Sequence, residues 1–181
     1  MPPPHDLDLV IDFVNTLDME RGEDSLTTPG ALAQWLSGRD LLAAGAAVSK
    51  AEHGAALGLR EALRALMLAN NGGDPATGAW AALEDVARRG ELAVAFEPGE
   101  VLLAARAPAV RGALAGLLVP VAVSLADRTW ERAKACRSPT CQWAFYDRSR
   151  NRSGAWCAMA VCGNRTKVRS YRARTAAART P

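Results

Sequence analysis

All four cysteines of this 181-residue chain lie in one short stretch near its carboxyl end. They form two pairs of equal spacing, Cys136 with Cys141 and Cys157 with Cys162, and fifteen residues separate the pairs. Each pair brings two sulfurs to one place on a short turn, or knuckle, as a tetrahedral thiolate site requires. The pattern therefore predicts a closed, structural metal site with four cysteine ligands, for which zinc is the favoured metal.

Other uses of four cysteines stay open at this point: an iron–sulfur cluster, unligated thiols or two disulfides. The first residues lack the basic and apolar regions of a secretory signal, so we expect a cytoplasmic protein, in which disulfides are uncommon. A catalytic metal is disfavoured because four cysteine ligands leave no position for water. No uninterrupted apolar run reaches the roughly 18 residues of a membrane span, so we expect no membrane partner.

The net charge of +3 conceals a sharp division along the chain. Residues 1–131 carry 10 basic and 18 acidic residues, a net charge of −8. Residues 132–181 carry 12 basic residues and a single acid, Asp147, a net charge of +11. A basic, cysteine-bearing module attached to an acidic body is typical of nucleic-acid-binding proteins. A solvated basic tail, or a contact of that tail with the body, is the alternative.

The sequence before the cysteines predicts a mainly α body with one small β-hairpin, an α+β fold dominated by helices. Apolar residues between Leu7 and Leu17 recur at spacings of three and four, which is typical of an amphipathic helix. Later helix starts are marked by a capping side chain or a proline, at Thr28-Pro29, Ser49 to Glu52, Asp74-Pro75 and Pro108. The apolar runs on either side of Glu97-Pro98-Gly99 favour the hairpin.

The last helix of the body is expected to run from Pro108 toward Trp130, with a kink at Pro120. No proline- or glycine-rich linker follows it, so this helix should continue into the cysteine-bearing part and couple the two mechanically. The predicted domains are an acidic helical domain over residues 1–130 and a small four-cysteine zinc finger with a basic carboxy-terminal helix over residues 131–181.

The loop between the knuckles has an aromatic half and a basic half. We assign Trp143, Phe145 and Trp156 to a small core around the metal, because so short a module needs large side chains to bury enough area. Stacking of these rings on nucleobases is the less favoured use.

The basic half supplies candidates for phosphate contacts. Arg148, Arg150 and Arg152 alternate, so that in an extended loop they would project to one face. Asp147 is expected to orient Arg148 or Arg150, or to cap a turn. The full set of nucleic-acid-binding candidates, which includes the segment after the last cysteine, is Arg148, Arg150, Arg152, Asn164, Arg165, Lys167, Arg169 and Arg172. Arginine and lysine release counterions when they neutralise phosphates, so binding should depend steeply on salt.

The body carries weaker signals. Asp12, Asn15, Arg60 and Arg64 are candidates for a polar pocket between two helices, in which the arginines would clamp a small anionic effector. A buried structural network is the alternative. The two histidines lie far from the cysteines in sequence, and no nucleophile–base arrangement or phosphate-binding glycine motif is found, so we expect no catalytic residue.

Two stretches resemble known families. From Cys136 to Lys167, the knuckles, the loop between them and the final Cys162-Gly163-Asn164-Arg165 closely resemble the CGNR zinc finger, which is named after those four residues. The segments Leu9 to Thr16, Trp35-Leu36 and Leu59 to Arg64 resemble the ABATE domain, which usually precedes this finger in bacterial proteins. The resemblance implies a stress-induced transcriptional regulator that holds zinc with its four cysteines and contacts nucleic acid through the finger.

We therefore expect a zinc-finger, DNA-binding transcriptional regulator whose body senses a ligand or forms a homodimer. An RNA- or protein-binding module that uses the same finger is the first alternative. An enzyme in the body is the least favoured one.

Overall fold

The structure, a computed structural model, describes residues 7–74 and 76–177, with the side chains of the last helix described in part. Its helices are α1 (Leu7–Val14), α2 (Pro29–Ser37), α3 (Lys50–Asn70), α4 (Ala79–Arg89), α5 (Ala109–Gly116), α6 (Leu118–Ala126) and α7 (Asn164–Ala177). Its strands are β1 (Leu17–Asp18), β2 (Glu23–Asp24), β3 (Leu92–Glu97), β4 (Glu100–Ala105), β5 (Ala133–Ala135) and β6 (Ala144–Tyr146). A 3-10 turn spans Trp130–Arg132, and a π-helical turn spans Met159–Gly163. The predicted fold class, mainly α with small sheets, is confirmed.

Among the described residues the strands form three antiparallel pairs, β1 with β2, β3 with β4 and β5 with β6. The β3–β4 hairpin is the one expected from the sequence. Its turn places Gly99 at a φ of 83°, a left-handed conformation that glycine adopts without strain. The other two pairs were not predicted, because strands of two or three residues are too short to show an alternating pattern.

The longest helix, α3, contacts α1, α2, α4, α5, β5 and the 3-10 turn. It opens with the predicted capping box: Glu52 N donates to Ser49 Oγ at 3.2 Å, and Ser49 N donates to the Glu52 carboxylate at 2.9 Å. Its apolar face buries Leu59, Leu63 and Met67 almost completely. α3 is thus the scaffold against which both α1 of the body and β5 of the finger pack.

The start of α4 differs from the expectation. The helix begins at Ala79 rather than at Asp74-Pro75, and Pro75 lies outside the described residues. Gly78, immediately before the helix, has a φ of 89°, which no helical residue adopts. Gly78 therefore sets the direction from which the chain enters α4.

The single kinked helix expected from Pro108 is two helices, α5 and α6, separated at Leu117. Pro120 lacks the N–H that would bond the Gly116 carbonyl four residues earlier, and its ring crowds that carbonyl. α6 ends at Ala126, and Arg128 follows with a left-handed φ of 61°. The helix consequently does not continue into the finger as predicted; a turn and the 3-10 segment lead to β5.

One hydrophobic core nevertheless extends across the predicted domain boundary. The buried cluster that contains Phe13 and Leu63 of the body also contains three small residues of β5 and β6, namely Ala133, Ala135 and Ala144. β5 packs against α3, and β6 packs against α1. Alanine suits these strands because its small side chain lets the backbone approach the helices closely. The first half of the finger is therefore part of the same packed core as the body.

The segment Ala109–Ala126, which comprises α5 and α6, is long and apolar enough by composition to cross a membrane. Half of it is buried inside the fold, and core helices of soluble proteins have the same composition. The other half of the segment Ala109–Ala126 is not buried by the described part of the chain.

Candidate metal centre

The four cysteine sulfurs lie together, as their spacing predicted. All four Sγ atoms lie within 4.8 Å of one another, with 3.6 Å between those of Cys141 and Cys157 and 3.8 Å between those of Cys157 and Cys162. Zinc–sulfur bonds of about 2.3 Å in a tetrahedron place the sulfurs about 3.8 Å apart. The four thiols are free, so the alternative of two disulfides is not the arrangement found. The donor set fits a tetrahedral metal ion.

The site is enclosed by the protein. Cys136, Cys141 and Cys162 are buried, and Cys157 is half-buried. Trp156 packs against the sulfurs and shields them on one side. Four protein ligands would complete the tetrahedral coordination of the ion, which is the arrangement of a structural rather than a catalytic site.

Both knuckles are turns closed by a single carbonyl. In the first, the N–H groups of Cys141 and Gln142 donate to Ser138 O at 3.0 and 3.1 Å. In the second, the N–H groups of Val161 and Cys162 donate to Ala158 O at 3.3 and 2.9 Å. These local hydrogen bonds hold each pair of sulfurs at metal-binding separation.

The glycine that follows the last cysteine has a packing role. A Cβ atom on Gly163 would lie 3.1 Å from Cδ1 of Trp156 and would overlap the side chain of Met159. Because contacts of this length are tighter than ordinary van der Waals distances, glycine allows the second knuckle to approach Trp156. The glycine of the Cys-Gly-Asn-Arg motif thus supports the cover of the metal site.

Without a metal, the cysteine thiols differ in pKa. Burial and a hydrogen bond with Cys141 raise the pKa of Cys162 to about 11, and burial raises the pKa of Cys157 further. Burial also acts to raise the pKa of Cys136, but the N–H groups of Cys157 and Ser138 donate to its sulfur and lower it overall. A bound divalent cation holds cysteines as thiolates, so metal binding must release protons.

A buried ion pair organises the loop between the knuckles. The ammonium group of Lys134 donates to Asp147 Oδ2 at 2.7 Å and also contacts the Arg152 carbonyl at 2.5 Å. Burial acts to raise the pKa of Asp147, but hydrogen bonds from Lys134, Ser149 and Gly154 outweigh it and lower the pKa to about 2. Asp147 caps the turn at Ser149, as one expectation stated, whereas its cationic partner is Lys134 rather than Arg148 or Arg150.

Lys134 was not among the residues predicted from the sequence. It was recognisable as the one basic residue in the apolar triplet from Ala133 to Ala135, in a module with a single acid. A lysine between core positions requires a buried counter-charge, and Asp147 is the only acid among residues 132–181.

Side chains of the body bind the finger backbone directly. Asn15, immediately after α1, donates to Ala144 O at 2.9 Å and accepts from Ala144 N at 2.7 Å. At the end of α3, Asn71 is 2% exposed and donates to the carbonyls of Ala135 at 2.8 Å and Ala155 at 3.0 Å. These contacts satisfy backbone groups that burial would otherwise leave without partners.

The four residues proposed to line a pocket do not gather in one place. Arg64 is buried and donates to the carbonyls of Gln142 at 3.0 Å and Val14 at 2.6 Å, while Asn15 binds β6. Arg60 is also buried and forms a two-pronged pair with Asp24 at 2.8 and 2.9 Å.

The carboxylate of Asp12 is 62% exposed, and its nearest cation is Arg39 at 4.0 Å. The two buried guanidinium groups already have protein partners. The alternative of a structural network therefore describes Asn15, Arg60 and Arg64, and Asp12 lies outside it.

One aromatic residue is placed differently from the expectation. Trp156 lies against the metal site and Phe145 is half-buried, but Trp143 is 37% exposed. Ala144 of β6 points into the core, so its neighbour Trp143 points away from it. The indole of Trp143 instead lines an open cleft with Val161 of the second knuckle.

The loop arginines do not lie along an extended segment. Residues 149–152 form a turn in which Arg152 N donates to Ser149 O at 3.3 Å. Arg152 has a φ of 51° and pairs with Glu131 at 2.6 Å. Arg148 and Arg150 are exposed and have no ion-pair partner in the described part of the chain. The predicted row of three on one face is therefore replaced by two free arginines and one that turns back to the body.

The remaining candidates lie on α7, which begins two residues after Cys162. Arg165 donates to Glu20 of the body at 2.7 Å, and Asn164 donates to Ala160 O at 3.2 Å. The side chains of Lys167 and Arg172 are exposed, and that of Arg169 is outside the described residues.

Comparison with protein families assigns both parts of the chain, in the order that the resemblance implied. Residues 7–129 match the ABATE family, described as "Putative stress-induced transcription regulator", and residues 132–175 match the CGNR zinc finger. No curated protein matches the chain. The matched finger contains the complete four-cysteine cluster described above. The chain belongs to the ABATE family and carries, after its ABATE domain, a CGNR zinc finger suited to hold a zinc ion.

Proposed function

We propose that this protein is a DNA-binding transcriptional regulator in which zinc orients the basic surface of the finger and the acidic body regulates it. The observation that carries the proposal is the start of α7. This basic helix begins two residues after a metal ligand, so an ion held by the four cysteines would set its orientation relative to the body. An oriented basic helix is a common device for placing cations along a duplex.

The exposed cations support contact with phosphates. Arg148 and Arg150 stand on the turn held by Asp147, and neither is paired within the described residues. Lys167 and Arg172 of α7 are exposed as well. Free guanidinium groups on a supported turn can bind phosphates without first breaking a protein contact.

Two other candidate residues are paired with acids that precede the basic module of residues 132–181. Arg165 binds Glu20 at 2.7 Å and Arg152 binds Glu131 at 2.6 Å, and all four side chains are substantially exposed. Exposed ion pairs contribute about 0–1 kcal/mol, so a phosphate would readily displace these carboxylates. Through these two ion pairs, a change in the body can alter the affinity of the finger for phosphates.

Binding of the zinc-loaded protein to random duplex DNA, measured at several salt concentrations, tests this proposal. The double variant Arg148→Gln/Arg150→Gln should weaken binding and reduce the slope of log affinity against log salt by about 1.8, the value for two lost phosphate contacts. Arg88→Gln/Arg89→Gln is the matched control, since it removes two exposed charges from α4 of the body. Equal effects of the two double variants, or no duplex binding by the wild type, would refute the proposal.

Trp143 favours a second candidate, binding of single-stranded nucleic acid. Its exposed indole lines a cleft next to the metal site, where a base could stack on it. Loss of a stacked base costs about 1–3 kcal/mol, so Trp143→Ala should weaken binding of single-stranded RNA about five- to 150-fold, whereas Trp143→Phe should retain it. Trp80→Ala, at an exposed tryptophan of the body, is the control. Unchanged binding by Trp143→Ala would exclude this mode.

We infer that the body has no catalytic role. The two family descriptions, a regulator and a zinc finger, support this view. Its buried polar groups Arg60 and Arg64 are occupied by structural contacts, as expected of a scaffold.

A further inference from the structure

The β3–β4 hairpin presents an open strand edge. Arg106 N donates to Glu91 O at 3.3 Å, which shows that residues of even number in β4 point their backbone groups toward β3. The backbone groups of Val101, Leu103 and Ala105 must then point away from β3. Within the described part of the chain these outward groups have no hydrogen-bond partner. A row of unpaired donors and acceptors is a template for another strand.

The same hairpin exposes large apolar side chains. Val94 is 49% exposed, Phe96 79% and Val101 65%, and their alternation places all three on one face. Their uncovered area amounts to roughly 300 Å², a substantial share of the about 800 Å² that each partner contributes to a standard interface. Beside β4, an open cleft separates Leu103 from Val119 of α6, so this side of the strand is accessible.

One charge of β4 does not suit the isolated hairpin. Glu100 lies directly opposite Glu97 of β3, and like charges in such a pair are destabilising. Arg106, at the other end of the strand, is exposed and has no ion-pair partner among the described residues. A strand with an acid at one end and a base at the other is complementary to an antiparallel copy of itself.

We propose that two copies of this chain pair antiparallel along β4, around a two-fold axis that passes through Leu103. In this register Leu103 faces its counterpart, Val101 faces Ala105, and Glu100 faces Arg106. The outward backbone groups of Val101, Leu103 and Ala105 form the new ladder. Two Glu100–Arg106 pairs form, one on each side of the axis, and each cross-strand pair of opposite charge contributes about 0.2–1 kcal/mol. The product is a four-stranded sheet with the apolar residues of both hairpins on one face.

The register is specific. Moving the axis by one or two residues along β4 separates Glu100 from Arg106 and leaves each without the other. The opposite edge of the hairpin offers no such match, since the segment from Glu91 to Glu97 carries an acid at each end and no basic residue. The pairing makes the body a dimerisation module, and it does not depend on what the finger binds.

Sedimentation equilibrium of the zinc-loaded full-length protein, over a range of concentrations, tests the proposal. The wild type, a chain of 19.2 kDa, should approach twice that mass. Glu100→Arg places like charges opposite Arg106 twice per dimer and should raise the dissociation constant about tenfold or more. Arg106→Glu should do the same, and the double variant Glu100→Arg/Arg106→Glu should restore wild-type association. Glu84→Arg, an exposed charge reversal on α4, should change nothing.

Glu100→Arg relieves the repulsion with Glu97 inside the hairpin, so weaker association cannot be attributed to a misfolded monomer. Leu103→Pro is a second, independent variant, because proline removes an outward N–H and leaves the bonds to β3 in place. It should yield a folded monomer. A wild type that stays monomeric, a dimer that neither single charge reversal weakens, or a double variant that fails to recover would each overturn the proposal.

Discussion

Lys134 donates a hydrogen bond to the Asp147 carboxylate over 2.7 Å, and both side chains are buried beneath the loop that joins the two cysteine knuckles. The same carboxylate accepts hydrogen bonds from the N–H groups of Gly154 at 2.8 Å and Ser149 at 3.0 Å. The only acid of the basic module is therefore used internally, to hold the turn that presents Arg148 and Arg150.

Substitution of Asp147 should destabilise the protein strongly. Asp147→Ala leaves the buried ammonium group of Lys134 without its counter-charge, and loss of one partner of a buried pair costs about 3–5 kcal/mol. Urea denaturation of the zinc-loaded protein measures the change. The control Glu84→Ala removes an exposed acid from α4 and should change the free energy of unfolding by at most about 0.5 kcal/mol. A cost for Asp147→Ala as small as that of the control would show that the pair is unimportant.

Gly154 should not tolerate a side chain. A Cβ atom there would lie 2.8 Å from Asp147 Oδ1, so Gly154→Ala must displace the carboxylate or the loop, at a cost of about 1–3 kcal/mol. Gly58→Ala is the matched control, because the space around Gly58 of α3 is open and alanine favours a helix by about 0.8–1.0 kcal/mol. Thermal melts of the two variants should shift in opposite directions. Shifts of the same sign would contradict the close approach of Gly154 and Asp147.

Zinc removal should affect the body as well as the finger. Asn71, which caps the carboxyl end of α3, bridges the carbonyls of Ala135 and Ala155, which lie next to the two knuckles, so release of the metal frees a segment to which this end of α3 is bonded. Hydrogen exchange after chelation should show reduced protection at the carboxyl end of α3. The amides of α2 provide the internal control. Unchanged protection around Asn71 would mean that the finger loosens independently of the body.

The pKa values of the cysteines predict a pH dependence of metal binding. The raised pKa of Cys162, about 11, and the raised pKa of Cys157 mean that both thiols stay protonated in the metal-free protein at pH 9, where most ordinary cysteines (pKa about 8.5) are ionised. Zinc must displace these protons, so affinity should keep rising with pH through 9 and fall as the pH is lowered.

Thiolate absorbance of the metal-free protein, titrated against pH, measures these ionisations. At least two thiols should ionise above pH 10. Addition of zinc at neutral pH should then produce the full thiolate signal at once. Ionisation of all four thiols below pH 9 would show that burial does not raise their pKa values in solution.

Local sequence patterns predicted the elements that local interactions form. The capping box at Ser49, the proline at the start of α2 and the turn at Gly99 act within a few residues, so short motifs reveal them. Equal spacing of the cysteines likewise predicts the knuckles. The short strand pairs were missed, because strands of two or three residues carry no periodic signal. The break at Leu117 was predicted as a kink, because a proline in an apolar run permits either a kink or an interruption of the helix.

Side-chain roles in the body were harder to predict. Asn15 binds Ala144, 129 positions away, and Arg64 binds Gln142, 78 positions away. A pair of arginines one helical turn apart is compatible with a ligand pocket and with a structural network alike. Only the position of the finger strands against α1 and α3 shows which carbonyls those side chains reach.

The sequence by itself determined the chemistry of the protein: four thiolate donors at metal-binding spacing, an acidic body, a basic module and helices with their own start signals. These properties follow from residue type and short-range spacing. The tertiary structure decided which groups meet. It pairs Lys134 with Asp147 and places Asn71 against the finger backbone. It also leaves Trp143 exposed to solvent and one edge of β4 unpaired. Such choices depend on how the core packs α3 against β5 and β6, and packing joins residues that no local pattern relates.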